Sequence, residues 1–445
     1  MLSFLLHGAT VLTVDPSNRV LIDGWISVED GRIAGLGSGA TRPDPARFDE
    51  VLDLSGHLVM PGLVNAHTHA AMILFRGRSE GHSLLTMDGW YHSIREPELS
   101  LGPGDIGPAV ALSCAEMALS GTTTFCDQYF HAEEVARAAD ASGLRAVVAY
   151  GIVELGDLEH GRAELERAVA FVEGQRRGRV IPWFGPHAPF VDNSEQTLMA
   201  EVEAANRLGC GMHLHMAAGP EDNEDTLARW GLTATQALER SGFFAGRVHA
   251  AHCLDLSPQD IAIFAAAPAA SVAHCATAGL RSGREGICPV VDLRRAGVIV
   301  ALGTDNVAAN NAYDMVTEMK VAGLVASHRE GRAQPIPSRD LIRMATIDGA
   351  RALGLGDETG SLEIGKAADI AVFDMRGPGW SETPEIETAL VYSGSGRDLR
   401  HLWVAGEALV RDRRLLRADF DELRRDYAAT YRNFWDRVAR GERAA

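Results

Sequence analysis

Two kinds of hydrophobic patterning divide the chain. Over residues 1–58, short apolar runs alternate with Gly and Asp turn signals, as in "FLLHGATVLTV", "GWISVEDGRIAGLG" and "EVLDLSGHLVM". That alternation predicts antiparallel strands. Over residues 59–360, short runs rich in Val, Ala and Ile are each followed by a longer amphipathic stretch. "RAVVAYGIV" precedes "DLEHGRAELERAVAFVEGQ", "RVIPWFGP" precedes "SEQTLMAEVEAANRLG", and "RVHAAHC" precedes "SPQDIAIFAAA". Strand, loop and helix in repeated succession predict a parallel sheet. The number of repeats predicts an α/β fold closed into a (β/α)8 TIM barrel rather than an open sheet. Over residues 361–445, short strands return in "ADIAVFDM", "ALVYSG" and "RHLWVAGEALVRD", and the chain runs out in a helical pattern, "DFDELRRDYAATYRNFWDRVARGE". The predicted assembly is one barrel flanked by a small β unit drawn from both ends of the chain.

Composition narrows the function classes. The 445 residues are 46% hydrophobic, enough for a large core, and carry a formal net charge of −18. An acidic surface argues against nucleic acid and anionic membranes as partners and does not choose between enzyme classes. The six cysteines, Cys114, Cys126, Cys210, Cys253, Cys275 and Cys288, form no CxxC pair, so reduced thiols are expected. The first residues lack a basic region followed by a long apolar one, and no apolar run reaches membrane-spanning length. A soluble, cytoplasmic protein is expected.

The histidines carry the chemistry. "VMPGLVNAHTHAAM" places His67 and His69 two residues apart at a strand end, so their side chains share a face. In a βα barrel that end of the strands holds the active site. Later strand ends add His213 and His215 in "MHLHMA", His249 and His252 in "VHAAHC", and Asp305 in "ALGTDN". Three imidazoles and one carboxylate suit one divalent metal, Zn²⁺ first and Fe²⁺ as an alternative, with a position left for water. Such a metal lowers the pKa of its water towards 7.

With these stretches, and with "AEMALSGTTTFCDQYF", "FGPHAPF", "GTDNVAANNAYDM" and "GSLEIGKAADIAVFD", the chain resembles the amidohydrolase superfamily over nearly its whole length. Within it, the chain is similar to the group of S-adenosylhomocysteine/methylthioadenosine deaminases and triazine hydrolases. The resemblance implies a barrel with a β-sandwich made from both chain ends, and a homo-oligomer, dimer or larger. It implies His67, His69, His215 and Asp305 as metal ligands, Asp305 also as general base, and His252 beside the metal's water. His213 and His249 fall to supporting roles. His187 in "GPHAP", His274, Asn306 and Asp88 in "LLTMDGW" are implied substrate contacts. The implied reaction is hydrolytic deamination of an amino-substituted nitrogen heterocycle, purine-, pterin- or triazine-like.

Two departures stand out. The deaminases carry Glu three residues after the fifth-strand histidine, where it protonates the ring. This chain reads "HMAAGPEDNED" and has Ala218 there. General acid catalysis contributes about 10²- to 10⁴-fold, so its loss leaves three options. Another acid replaces it, the leaving group differs (a halide or a cyclic amide), or the protein binds a purine-like ligand without turnover. Glu221, Asp222 and Glu224 follow closely and are expected at a solvated helix start. After His274, "CATAGLRSGREGICPV" also departs from the family pattern, and Arg281 and Arg284 add positive charge near the expected mouth.

Overall fold

The structure is a computed structural model that describes residues 3–84, 86–175, 178–219, 221–283, 286–381 and 385–444. Eight strands pair in sequence order into one parallel sheet: β1 (Leu63–Thr68), β2 (Thr122–Tyr129), β3 (Arg145–Ile152), β4 (Val180–Pro186), β5 (Met212–Met216), β6 (Val248–His252), β7 (Ala270–His274) and β8 (Ile299–Leu302). Helices or short helical turns follow the strands, and the sheet curls until β8 meets β1. This is the (β/α)8 barrel. The strands are short apolar runs because both of their faces are covered. Small apolar side chains fill the interior beneath the histidines. Ala66, Ala251, Ala273 and Ala301 pack together with Ala352, and Val64, Cys126, Val147, Ala149 and Trp183 pack with Ala350 and Leu353.

The closure between β1 and β8 is made at its upper end. The Asp305 N–H donates to the His67 carbonyl at 2.9 Å, the Asn65 amide donates to Thr304 Oγ1 at 2.8 Å, and the Thr304 N–H donates back to Asn65 Oδ1 at 3.0 Å. Gly303 permits this approach, since a Cβ there would lie 2.7 Å from His67 Cβ and 2.8 Å from His67 N.

Both chain ends build the second sheet, nine strands in one hydrogen-bonded set. Phe4–Leu12 pairs with Val20–Glu29, Glu50–Asp53 and His57–Pro61, and His57–Pro61 in turn pairs with Ile370–Asp374 from the far end of the chain. Phe4 and Trp403 lie three strands apart in this sheet, yet their rings stack at 5.5 Å. Three flat steps would separate them by about 14 Å, so the sheet folds over on its own core. A buried ion pair, Arg145 to Asp369 at 3.2 Å, fastens it to the barrel.

One predicted strand is a helix. The first four residues of "ALVYSG" end the helix Ile386–Tyr392, where Ala389, Leu390 and Val391 are buried against the helices Met315–Glu330 and Ser338–Met344. A short apolar run does not distinguish strand from buried helix by its period. The terminal helix, Phe420–Ala439, packs over the turn that follows His69: Tyr427 Oη donates to the Ile73 carbonyl at 2.8 Å and Trp435 Nε1 to the Leu74 carbonyl at 3.0 Å. Among the described residues, no helix is long and apolar enough to cross a membrane.

Candidate metal centre and active site

The strand ends converge. Nε2 of His67 and Nε2 of His69 lie 3.3 and 3.5 Å from Asp305 Oδ1, and His69 Nε2 lies 3.1 Å from His215 Nε2. The His252 ring sits 5.3 Å from that of His215 and 5.4 Å from that of His67. Two overlapping groups, His67–His215–His252 and His67–His69–Asp305, each bring one ligand atom per residue within 4.8 Å.

Backbone geometry at the strand ends turns these side chains into one place. His252 and Asp305 have φ of +72° and +61°, in the left-handed region that a non-glycine residue occupies at a cost of about 1–3 kcal/mol. The surrounding contacts hold them there. Asp305 is tied to the His67 carbonyl, and the N–H of Cys253, beside His252, donates to the Met216 carbonyl at 3.0 Å.

The hydrogen bonds also select one tautomer. His69 Nδ1–H donates to the Gln128 carbonyl at 2.7 Å, and His215 Nδ1–H donates to the His187 carbonyl at 2.9 Å. A carbonyl only accepts, so the Nε2 atoms keep their lone pairs. For His67 the same result comes through a relay. His213 Nδ1–H donates to the His249 carbonyl at 2.8 Å, which leaves His213 Nε2 to accept from His67 Nδ1–H at 2.7 Å. His249 is itself pinned, its Nε2 at 2.8 Å from the Ala66 carbonyl and its Nδ1 at 2.8 Å from Ser271 Oγ.

This donor set fits a divalent metal. Among the described residues, the buried Nε2 of His67 has no hydrogen-bond partner. Burial holds His67 and His215 well below the usual imidazole range, His69 at about 3, and His252 lowered, so all four are in the neutral, ligating form at pH 7. Burial raises the Asp305 carboxyl, an effect that His252 opposes, and Asn306 Nδ2 donates to its Oδ1 at 2.9 Å.

A cleft of about 990 Å³, open space at its mouth included, stands over this cluster. His69, His187, His215, His252, Asp305 and Asn306 all line it. His187 Nδ1–H donates to Asp192 Oδ2 at 2.5 Å, and its ring lies 5.3 Å from that of Trp90. His274 is buried at the end of β7 outside this lining, and burial lowers it to about 4. Asp88 is not brought into the cleft. Its side chain is 93% exposed on the turn Met87–Trp90, 3.7 Å from His92, while its neighbours Met87 and Trp90 face inward.

Ala218 lines the cleft where the missing carboxyl would stand, and its N–H is capped by Asp222 Oδ2 at 2.7 Å. Of the three following acids, Glu221 and Asp222 line the cleft and Glu224 does not. The first two were expected at a solvated helix start; they do begin the helix Glu221–Trp230, but that end faces the cleft. Arg281 pairs with Glu80 at 3.1 Å, and Arg284 lies outside the described residues. Sequence reasoning missed Gln128, Asp192 and the buried pair of Tyr129 Oη donating to Glu98 at 2.6 Å. The end position of Gln128 on its strand was the available signal; Glu98 carried none.

Fold and site together define a barrel hydrolase of the metal-dependent type, with a histidine-rich centre at the C-terminal strand ends. The amidohydrolase family model matches residues 58–409, and the chain belongs to that family. A 5'-deoxyadenosine deaminase of Methanosarcina acetivorans is 38% identical over 427 residues, 95% of this chain and 96% of that protein. A 5-methylthioadenosine/S-adenosylhomocysteine deaminase of Pelotomaculum thermopropionicum is 36% identical over 427 residues, 95% of this chain and 96% of its own. The structure of an adenosine deaminase from Xanthomonas campestris with bound zinc superposes with a TM-score of 0.90 at 29% identity, covering 98% of each chain.

Proposed function

We propose that the protein is a metal-dependent aminohydrolase that deaminates an adenine-type nucleoside. The observation that carries this is the convergence of His67, His69, His215 and Asp305 with an unpartnered His67 Nε2, in a chain whose relatives are named deaminases. His67, His69, His215 and Asp305 hold the metal. Zn²⁺ is the expected ion, and Fe²⁺ fits the same ligands. Bound there, the metal supplies a water whose pKa is lowered towards neutrality.

The remaining work belongs to the chain. Asp305 turns Oδ1 towards His67 and His69, which leaves Oδ2 to take the water proton and return it to the departing amine. His252, buried and neutral, orients the nucleophile and stabilises charge developing on the attacked carbon's substituents. His187, held by Asp192 and flanked by Trp90, positions the ring. Glu221 and Asp222 put carboxyl groups in the cleft that holds Ala218, and one of them stands in for the absent acid. The deaminase names of the relatives weigh against a halide or cyclic-amide leaving group.

The test is ammonia release by zinc-loaded protein across 5'-deoxyadenosine, methylthioadenosine, guanine-type bases, pterins and aminotriazines. Release from the adenine nucleosides is expected. Release from another class alone would replace the substrate assignment, and bound metal without release from any would remove the deaminase reading.

A further inference from the structure

Among the described residues, the Gln128 side chain leaves a buried polar atom in the cleft lining without a partner, as does His252 Nδ1. The Gln128 side chain is 1% exposed, at the C-terminal end of β2. Its Nε2 donates to the His213 carbonyl at 2.7 Å, which fixes the amide orientation, because a carbonyl cannot accept from Oε1. Oε1 is buried and has no hydrogen-bond partner among the described residues. The residue lines the cleft beside His69 and His215, and its backbone carbonyl receives the His69 Nδ1–H. Gln128 is therefore tied through its backbone to His69 and through its side chain to the strand that carries His215. Gly185 packs against it so closely that a Cβ there would meet Gln128 Cγ and Nε2 at 3.1 Å.

A buried acceptor left unpaired is costly, and a site with one rejects ligands that cannot supply the missing donor. We propose that Gln128 Oε1 is a specificity-determining acceptor that takes an N–H from the exocyclic amine of the substrate. The position supports the amine over the tail of the ligand, since Gln128 stands at the reacting end of the cleft, between His69 and His213, and not at its mouth. The inference rests on the deaminase reading and deepens it. The ligand must carry at least one N–H on the group to be displaced. A halogenated or fully alkylated ring leaves Oε1 unpaired.

The experiment compares zinc-loaded wild type with Gln128→Met, which keeps length and removes the acceptor, and with Gln128→Glu, which keeps an acceptor. Two nucleosides are used, 5'-deoxyadenosine and its N6,N6-dimethyl analogue. Zinc content and thermal midpoint establish that each variant is folded. The expected result is a loss of about tenfold in kcat/KM for 5'-deoxyadenosine in Gln128→Met, carried by KM. The inhibition constant of the dimethyl analogue should not rise, since that ligand gives Oε1 no donor to lose, and Gln128→Glu should recover part of the loss. Equal loss for both ligands, or no loss for either, would overturn the assignment. If wild type releases no ammonia from 5'-deoxyadenosine, the adenine-nucleoside assignment fails. Fluorescence titration of the same proteins with the same two nucleosides then decides the role of Gln128 separately, and binding without the predicted discrimination, or no binding at all, overturns it.

Discussion

The backbone N–H of Asp305 donates to the carbonyl of His67 at 2.9 Å, while Oδ1 of the same aspartate lies 3.3 Å from Nε2 of the same histidine. The contact that closes the barrel and the contact that begins the metal centre therefore join one pair of residues. The proposed metal site therefore predicts that fold stability and metal binding are coupled through this pair.

Gly303→Ala tests that coupling. The new Cβ would stand 2.8 Å from His67 N, against backbone that cannot yield cheaply. The variant should lose about 1–3 kcal/mol of stability, as overpacked interiors do, and retain less zinc. Denaturant unfolding and metal analysis check both. A variant with normal stability and reduced metal would separate the two roles.

His213 touches no ligand position, yet it accepts the Nδ1–H of His67. Replacing it with Leu leaves that N–H without an acceptor and frees the other tautomer. Loss of such a supporting partner typically lowers metal affinity about 10- to 100-fold. Competition with a chelator measures this, with circular dichroism to confirm folding. Unchanged affinity would mean that the His67 tautomer is set by the metal alone.

Ala218→Glu restores the carboxyl that the deaminase pattern carries. If proton donation to the ring limits turnover, kcat on an adenine nucleoside should rise, by up to about 10²-fold. An unchanged or lower kcat would show that Glu221 or Asp222 already supplies the proton, and Glu221→Gln and Asp222→Asn would then identify which.

Glu201 lies on the helix Glu195–Leu208, fully buried, and among the described residues neither of its carboxyl oxygens has a hydrogen-bond partner. Burial raises its pKa well above the ordinary 4.5, and the nearby Asp192 and Glu154 add to the effect. The folded chain therefore keeps a proton that the unfolded chain gives up above 4.5, so this group's contribution to stability falls as pH rises through that value. Glu201→Gln mimics the protonated form. It should be more stable than wild type at neutral pH and converge with it below 4.5. Unfolding midpoints across pH measure the difference, and parallel curves would contradict the assignment.

Much of this was legible in the residues because period and position carry it. The βα alternation located six of the eight barrel strands, and five ligand-type side chains at strand ends, His67, His69, His215, His252 and Asp305, meet in space. What stayed hidden depends on backbone geometry and long-range packing. The left-handed φ of His252 and Asp305, which aims their side chains, has no sequence signature when the residue is not glycine. The His213–His249 relay needs two neighbouring strands in register, His213 opposite His249. Asp88 was placed by a local match, but the turn that carries it points its side chain outward and presents Met87 and Trp90 instead. "ALVYSG" failed because a short apolar run does not separate a strand from a buried helix.

The most direct measurement is a zinc titration of metal-free protein with 5'-deoxyadenosine present, following ammonia. The account predicts that release rises in proportion to zinc and saturates at one ion per chain. Ammonia release from the metal-free protein, or a fully zinc-occupied site that releases none, would contradict it.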